Sequence, residues 1–138
     1  MAETEKPYML SFVLPASGTL LDGTPLGDAI ARIDDGVSRP PEHHLINCVH
    51  AENFEMGMST VPTDRAARVL GLEANTSKLT PEELDNREEV DTETPEDFGR
   101  QVWALRASHG ARYLGGCCGS GTEHIEALAK EATSSLAA

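Results

Sequence analysis

Ala111-Arg112-Tyr113-Leu114-Gly115-Gly116-Cys117-Cys118-Gly119-Ser120-Gly121-Thr122 is a short apolar run that breaks into glycines around an adjacent cysteine pair. A run of this length bounded by turn residues reads as a strand, Ala111 to Gly115, passing into a loop. Three runs of the same kind precede it: Tyr8 to Val13, Leu45 to Val49, and a weaker one at Gly71 to Ala74. Each is nearly continuous in apolar residues, the pattern of strands covered on both faces in a parallel sheet flanked by helices.

Helix signals alternate with these strands. Thr24-Pro25, Thr80-Pro81-Glu82-Glu83 and Thr94-Pro95-Glu96-Asp97 share one design. The Thr hydroxyl can accept from an orphan N–H, Pro fits the first helical position, and an early acidic residue complements the helix dipole. Apolar residues then recur at helical spacing: Leu26, Ala29, Ile30 and Ile33; Phe98, Val102 and Leu105; Ile125, Leu128, Ala129 and Ala132. Pro62 to Leu70 reads as a shorter helix. The order is βαβαβαβα, four units of about 35 residues each, which defines an α/β fold. The acidic stretch Asp85 to Glu96 reads as a solvated connection, and the Ala/Ser-rich end, Ala132 to Ala138, as a frayed tail. No internal domain boundary is evident, so 1–138 is read as a single unit.

With 138 residues, two large domains are excluded, and 39% hydrophobic residues suffice for one core. Eleven Lys and Arg against 23 Asp and Glu give a net charge of -12, a field that repels nucleic acid and anionic membrane surfaces. No stretch approaches the roughly 20 apolar residues of a spanning helix, and MAETEKPYML lacks the order of a secretory signal. The expected compartment is the cytoplasm. There, three cysteines, two of them adjacent, point to chemistry or burial rather than to a disulfide framework.

Parallel strands all end on one side of a sheet, so Cys48, Cys117 and Cys118 can converge there although 69 residues separate the first two. Three thiolates with one open position suit Zn2+, which accepts sulfur and performs no redox chemistry. Such an ion takes the proton from an incoming thiol and suits alkyl transfer to sulfur. Adjacent strand residues point to opposite faces, so Gly115, Gly116 and Gly119 are expected to free the backbone for both Cys117 and Cys118. Two alternatives remain open at this point: three buried small hydrophobes, or an anion-binding turn at a helix N-terminus. Ser120 with Glu123 reads as a capping box. His50 reads as a fourth ligand, a donor behind the ligands, or a polar group near water. His124 reads as structural, beside Glu123, and His43, His44 and His109 as surface residues.

Several stretches together resemble the C-terminal half of the zinc-dependent homocysteine S-methyltransferase family, from about Pro7 to Leu128. They are Ser11-Phe12-Val13, Leu20-Leu21-Asp22-Gly23-Thr24-Pro25-Leu26, Leu45-Ile46-Asn47-Cys48-Val49-His50, Ala74-Asn75-Thr76-Ser77, and Leu114 through Gly119 with His124-Ile125. The resemblance implies four βα units, strands 5 to 8, of a (β/α)8 TIM barrel. It assigns Cys48, Cys117 and Cys118 to Zn2+, with no catalytic residue beyond these ligands. Homocysteine would occupy the fourth position and take a methyl group from a sulfonium or quaternary ammonium donor, giving methionine. Asn47, beside the first ligand, and Asn75, at the end of strand 7, would face substrate. The family's first four units, with the acidic residue that holds homocysteine's amine, have no counterpart here. Self-association or a complementary N-terminal half-barrel is therefore expected. The alternative is a remnant, or one subunit of a split barrel, that binds zinc without turnover alone.

Overall fold

All four apolar runs are strands in the computed structural model, which describes residues 4–85, 88–89 and 91–136, with backbone alone at 81, 82 and 136. They are β1 (Met9–Phe12), β2 (His43–Val49), β3 (Val69–Ala74) and β4 (Tyr113–Gly116). Every neighbouring pair is parallel and the spatial order is β1-β2-β3-β4. Strict sequential order has no point at which the winding reverses, unlike a doubly wound sheet. The helices are α1 (Leu26–Gly36), α2 (Ala51–Met58), α3 (Thr63–Ala66), α4 (Pro81–Leu84), α5 (Pro95–His109) and α6 (Thr122–Leu136).

The sheet is covered on one face only, which corrects the expectation of cover on both. His44, Ile46, Leu72 and Ala74 are buried toward the helices, while Met9, Ser11, Glu73 and Tyr113 stand exposed on the other face. The core lies between sheet and helices, with Leu14, Leu26, Ile30, Phe54, Phe98, Val102 and Leu105 almost fully buried. Burying an aliphatic or aromatic side chain of this size stabilises a fold by roughly 1.5–3 kcal/mol, so this one layer carries most of the driving force.

Several local expectations need correction. Pro62 to Leu70 is not one helix: α3 stops at Ala66, and Val69 and Leu70 open β3, where Val69 pairs with His44. Helix α2 went unread although Ala51, Phe54 and Met58 lie on one buried face at i, i+3 and i+7. Its N-cap is His50, outside the usual capping set, so the start signal was masked. Thr24 does not cap α1, whose N-cap position is Pro25 with no side-chain bond; instead Thr24 N donates to Asp22 Oδ1. Thr80 and Thr94 behave as expected: Thr80 and Glu83 bond reciprocally, and Thr94 Oγ1 accepts from Asp97 N at 3.2 Å.

In α6 the buried stripe is His124, Ala127 and Leu128, with Ile125 44% exposed, one step from the predicted stripe. The helix runs on to Leu136, and residues 137–138 lie outside the described part. Within the acidic stretch, residues 86, 87 and 90 also lie outside it. Glu93 in that stretch is not solvated, because its side chain is turned inward toward His50 and Gln101. His43 is half-buried against Tyr113, and His109 is half-buried against Phe54.

His44, expected at the surface, is fully buried beneath the sheet. Its Nε2 donates to Asp34 Oδ1 at 3.1 Å, and Arg68 grips the same carboxylate through Nε at 2.8 Å and Nη2 at 3.2 Å. Arg68 also donates to the carbonyls of Pro41 and Glu42, so one charged knot ties α1, the entry to β2 and the approach to β3. Nδ1 of His44 has no partner. Burial holds the His44 pKa below its ordinary 6.5, against the opposing pull of Asp34. For Asp34, burial raises the pKa, but the bonds from Arg68 and His44 outweigh it and hold the carboxyl below its ordinary range.

Both shifts are downward, so each stabilises the fold above the group's unfolded pKa and is lost as pH falls. We predict that the urea midpoint falls between pH 7.5 and pH 5.5 as the unfolded chain takes up the His44 proton. A further fall is expected below about pH 4, when Asp34 follows. His44→Gln, which keeps a donor toward Asp34, should flatten the first step; an unchanged pH profile would refute the assignment.

Candidate metal centre

At Asn47 the strand β2 faces the open side, where Asn47 Oδ1 accepts a hydrogen bond from Ser11 Oγ. Simple alternation would put Val49 on that side too and Cys48 among the helices. The structure breaks the alternation. Asn47 pairs with Glu73 and Val49 with Ala74, so Cys48 is an extra residue opposite none, and its φ is +54°. This bulge returns Val49 to the core, 7% exposed, and turns Cys48 out to the strand end. A non-glycine residue in the left-handed region costs roughly 1–2 kcal/mol, so the surrounding packing enforces the position.

On β4 the chain leaves the sheet after Gly116. Cys117 N donates to Ala74 O at 2.7 Å, and Cys118 N to Asn75 Oδ1 at 3.1 Å. Asn75 N in turn donates to Val49 O at 3.0 Å, and Thr76 N to Cys118 O at 3.2 Å. The ends of β2, β3 and β4 are thereby stitched together, and Asn75 is the stitch. The glycines contribute differently from expectation. Gly119 does adopt positive φ, +80°, and a Cβ there would fall 2.1 Å from Thr76 Oγ1. Gly116 instead permits close approach, since its Cβ would meet Ser120 Oγ at 2.2 Å, and the strained cysteine is Cys48.

The three thiols meet as the spacing argument required. Cys48 Sγ lies 2.6 Å from Cys117 Sγ, Cys117 Sγ lies 3.9 Å from Cys118 Sγ, and all three fall within 4.8 Å of one another. They form the single metal-capable cluster of His, Cys, Asp and Glu found among the described residues. A tetrahedral ion with sulfur bonds of ~2.3 Å sets its sulfurs about 3.8 Å apart. The Cys117–Cys118 separation matches, and the Cys48–Cys117 pair is tighter than this spacing. Cys48 and Cys117 are half-buried and Cys118 is exposed, so an ion held here keeps one side accessible.

The thiols do not release protons equally. The hydrogen bond with Cys117, followed against burial by that with Asn47, lowers the Cys48 pKa below its ordinary 9.0. Burial, then the bonds to Cys48 and Cys118, pushes Cys117 up to about 12. The two shifts run in opposite directions, so Cys48 is the easier of this pair to deprotonate.

His50 is no ligand. Its ring is buried, Nδ1 accepts from Glu52 N at 3.1 Å to cap α2, and Nε2 lies 3.3 Å from Glu93 Oε1. It is not near water either; it anchors the turn immediately after Cys48. His124 is structural as expected, but it works through Gly121 N and the Glu93 carbonyl rather than through Glu123. Ser120 and Glu123 form no capping box, since Ser120 Oγ donates to Cys117 O at 2.8 Å. Ser120 N is likewise given to Cys117 O and Gly121 N to His124 Nδ1, so these two N–H groups of the turn already have acceptors. Sequence reasoning also missed Ser11 as partner of Asn47 and Glu93 as partner of His50; both partners lie at least 36 residues away in the chain.

A sequentially ordered parallel βα sheet with three thiols gathered at the C-terminal ends of its strands defines an α/β protein with a thiol cluster that could hold a metal ion. The chain belongs to the homocysteine S-methyltransferase family, whose model matches residues 1–132. No curated protein matches it. Among the described residues no helix is long and apolar enough to cross a membrane.

We predict one zinc per chain at neutral pH by equilibrium dialysis and metal analysis. Cys48→Ser, Cys117→Ser or Cys118→Ser should each weaken zinc by about a hundredfold or more, since even residues behind a metal's ligands are worth 10–100-fold. Stoichiometric, undiminished zinc in Cys117→Ser would overturn the site.

Proposed function

We propose that this chain carries the thiol-activating half of a homocysteine S-methyltransferase, with Cys48, Cys117 and Cys118 holding Zn2+. The observation that carries the reading is the convergence of the three sulfurs within 4.8 Å in a chain of this family. When bound, zinc supplies the Lewis acidity that makes a thiol ionise at neutral pH. The chain's own residues do the rest. The bulge at Cys48 and the Asn75 bond to Cys118 fix the sulfurs before substrate arrives, so little reorganisation accompanies binding. In this reading Asn47 and Asn75 contact substrate, supported by their places beside the cysteines: Asn47 is held by Ser11, and Asn75 Oδ1 accepts from Cys118 N.

In the reaction a carbon–sulfur bond forms between homocysteine and the donor's methyl group, and the donor's C–S+ or C–N+ bond breaks. The donor leaves neutral, the thiol proton passes to solvent, and methionine results. Methionine biosynthesis in the cytoplasm, where thiols stay reduced, suits these parts.

The exposed face of the sheet and the edges of β1 and β4, which pair with no further strand among the described residues, support a second element of the reading. These four units act as strands 5 to 8 of a (β/α)8 barrel, closed by a complementary N-terminal half or by another copy of the chain. The same edges favour the alternative of one split-barrel subunit that binds zinc without turnover by itself. Zinc-loaded chain supplied with homocysteine and either a sulfonium or a quaternary ammonium donor should give methionine, alone or after mixing with an N-terminal half. Methionine only from the mixture supports the split barrel; zinc binding with no methionine under either condition would sink the enzymatic reading.

A further inference from the structure

Cys48 holds a φ of +54°, a region that disfavours any residue with a Cβ, so its neighbours must keep the turn in place. The grip falls on the two residues that follow. Asn75 N donates to the Val49 carbonyl at 3.0 Å, and the His50 ring is 1% exposed. Because His50 Nδ1 accepts from Glu52 N, the neutral ring carries its proton on Nε2, which lies 3.3 Å from Glu93 Oε1. Neither of these two buried atoms has another partner among the described residues.

Glu93 belongs to the connection before α5, yet its side chain is only 13% exposed. Burying a carboxylate is costly unless its oxygens are bonded. Oε2 accepts from Gln101 Nε2 at 2.7 Å, which leaves Oε1 for His50. The backbone of Glu93 reaches the other cysteines. Its N–H donates to Thr76 O at 2.9 Å, and Thr76 N donates to Cys118 O at 3.2 Å. Its carbonyl lies 3.3 Å from Nε2 of His124, whose Nδ1 accepts from Gly121 N, three residues past Cys118. One residue thus touches the segments that follow β2, β3 and β4. We propose that Glu93 is a positioning residue for the sulfur cluster: its carboxylate holds His50 so that the strained turn keeps Cys48 set against Cys117 and Cys118. Glu93 acts through His50 on one arm and through Thr76 and His124 on the other. The inference rests on the reading that the three sulfurs hold zinc, and it deepens that reading by naming what fixes their spacing.

Competition against a chromophoric chelator measures the zinc affinity of the chain, and Co2+ in place of zinc reports the geometry of its sulfur shell through visible absorption. Glu93→Leu, of similar volume but without oxygens, should weaken zinc roughly 10–100-fold, the range for residues behind a metal's ligands, and should alter the Co2+ spectrum. Glu93→Gln should bring both back near the values of the unaltered chain. Its amide oxygen still accepts from His50, and its amide N–H can serve Gln101 Oε1, which now has no partner. Arg68→Met, which cuts the knot at the opposite end of the sheet, should lower the urea midpoint without moving zinc affinity or the Co2+ spectrum. If Glu93→Leu behaves as Arg68→Met does, losing stability alone, its role is merely structural and the proposal falls. Should Glu93→Leu fail to fold, Gln101→Leu, which removes the bond seating the carboxylate, must still weaken zinc and shift the Co2+ spectrum; no change there overturns the proposal too. An unaltered chain that binds no zinc removes this inference together with the zinc reading, whereas firm zinc binding indifferent to Glu93 removes this one alone.

Discussion

One extra residue in β2 decides the chemistry of this molecule. Without the bulge at Cys48, the strand's alternation would send that thiol into the helix layer and leave Val49 uncovered. With it, a valine stays in the core and a sulfur reaches the rim where β3 and β4 end. The neighbouring strand accommodates the change: β3 carries one additional residue between its pairings with His44 and Ile46, so the register slips and then recovers. Two compensating irregularities leave the sheet continuous while altering where one side chain points.

The rim itself is held by backbone more than by side chains. Asn75 bridges Val49 O and Cys118 N, and Thr76 receives from Glu93 while giving to Cys118. Behind this layer His50 caps α2 and contacts Glu93, which also accepts from Gln101. The two cysteine-bearing strands are thus fixed by bonds that do not involve the thiols. At the opposite end of the sheet, Asp34, His44 and Arg68 lock the strand beginnings. Stability and reactivity occupy different ends, as expected where parallel strands all run the same way.

Much of this was legible in the amino-acid order. The four strands, α5 with its Thr94 cap, and the convergence of Cys48 with Cys117 and Cys118 all follow from period, capping chemistry and the rule that parallel strands finish together. What escaped did so for physical reasons. A bulge leaves no compositional trace when the bulged residue is cysteine rather than glycine. His44 looked like a surface residue because its burial depends on Asp34 and Arg68, which local pattern cannot bring together. The Pro62 to Leu70 run carried helical spacing, yet the pairing of Val69 with His44 prevailed over it.

The backbone at position 48 bears on how such a chain changes over generations. Glycine adopts a φ of +54° without steric penalty, whereas cysteine does not. Drift acting on folding alone would favour replacement there, since the exchange relieves strain and removes no core contact. If the proposed ion binds there, the thiol sits where selection for robustness and selection for ion capture pull in opposite directions. On that proposal, a lineage released from the need for the ion would find position 48 among the easiest places to let go.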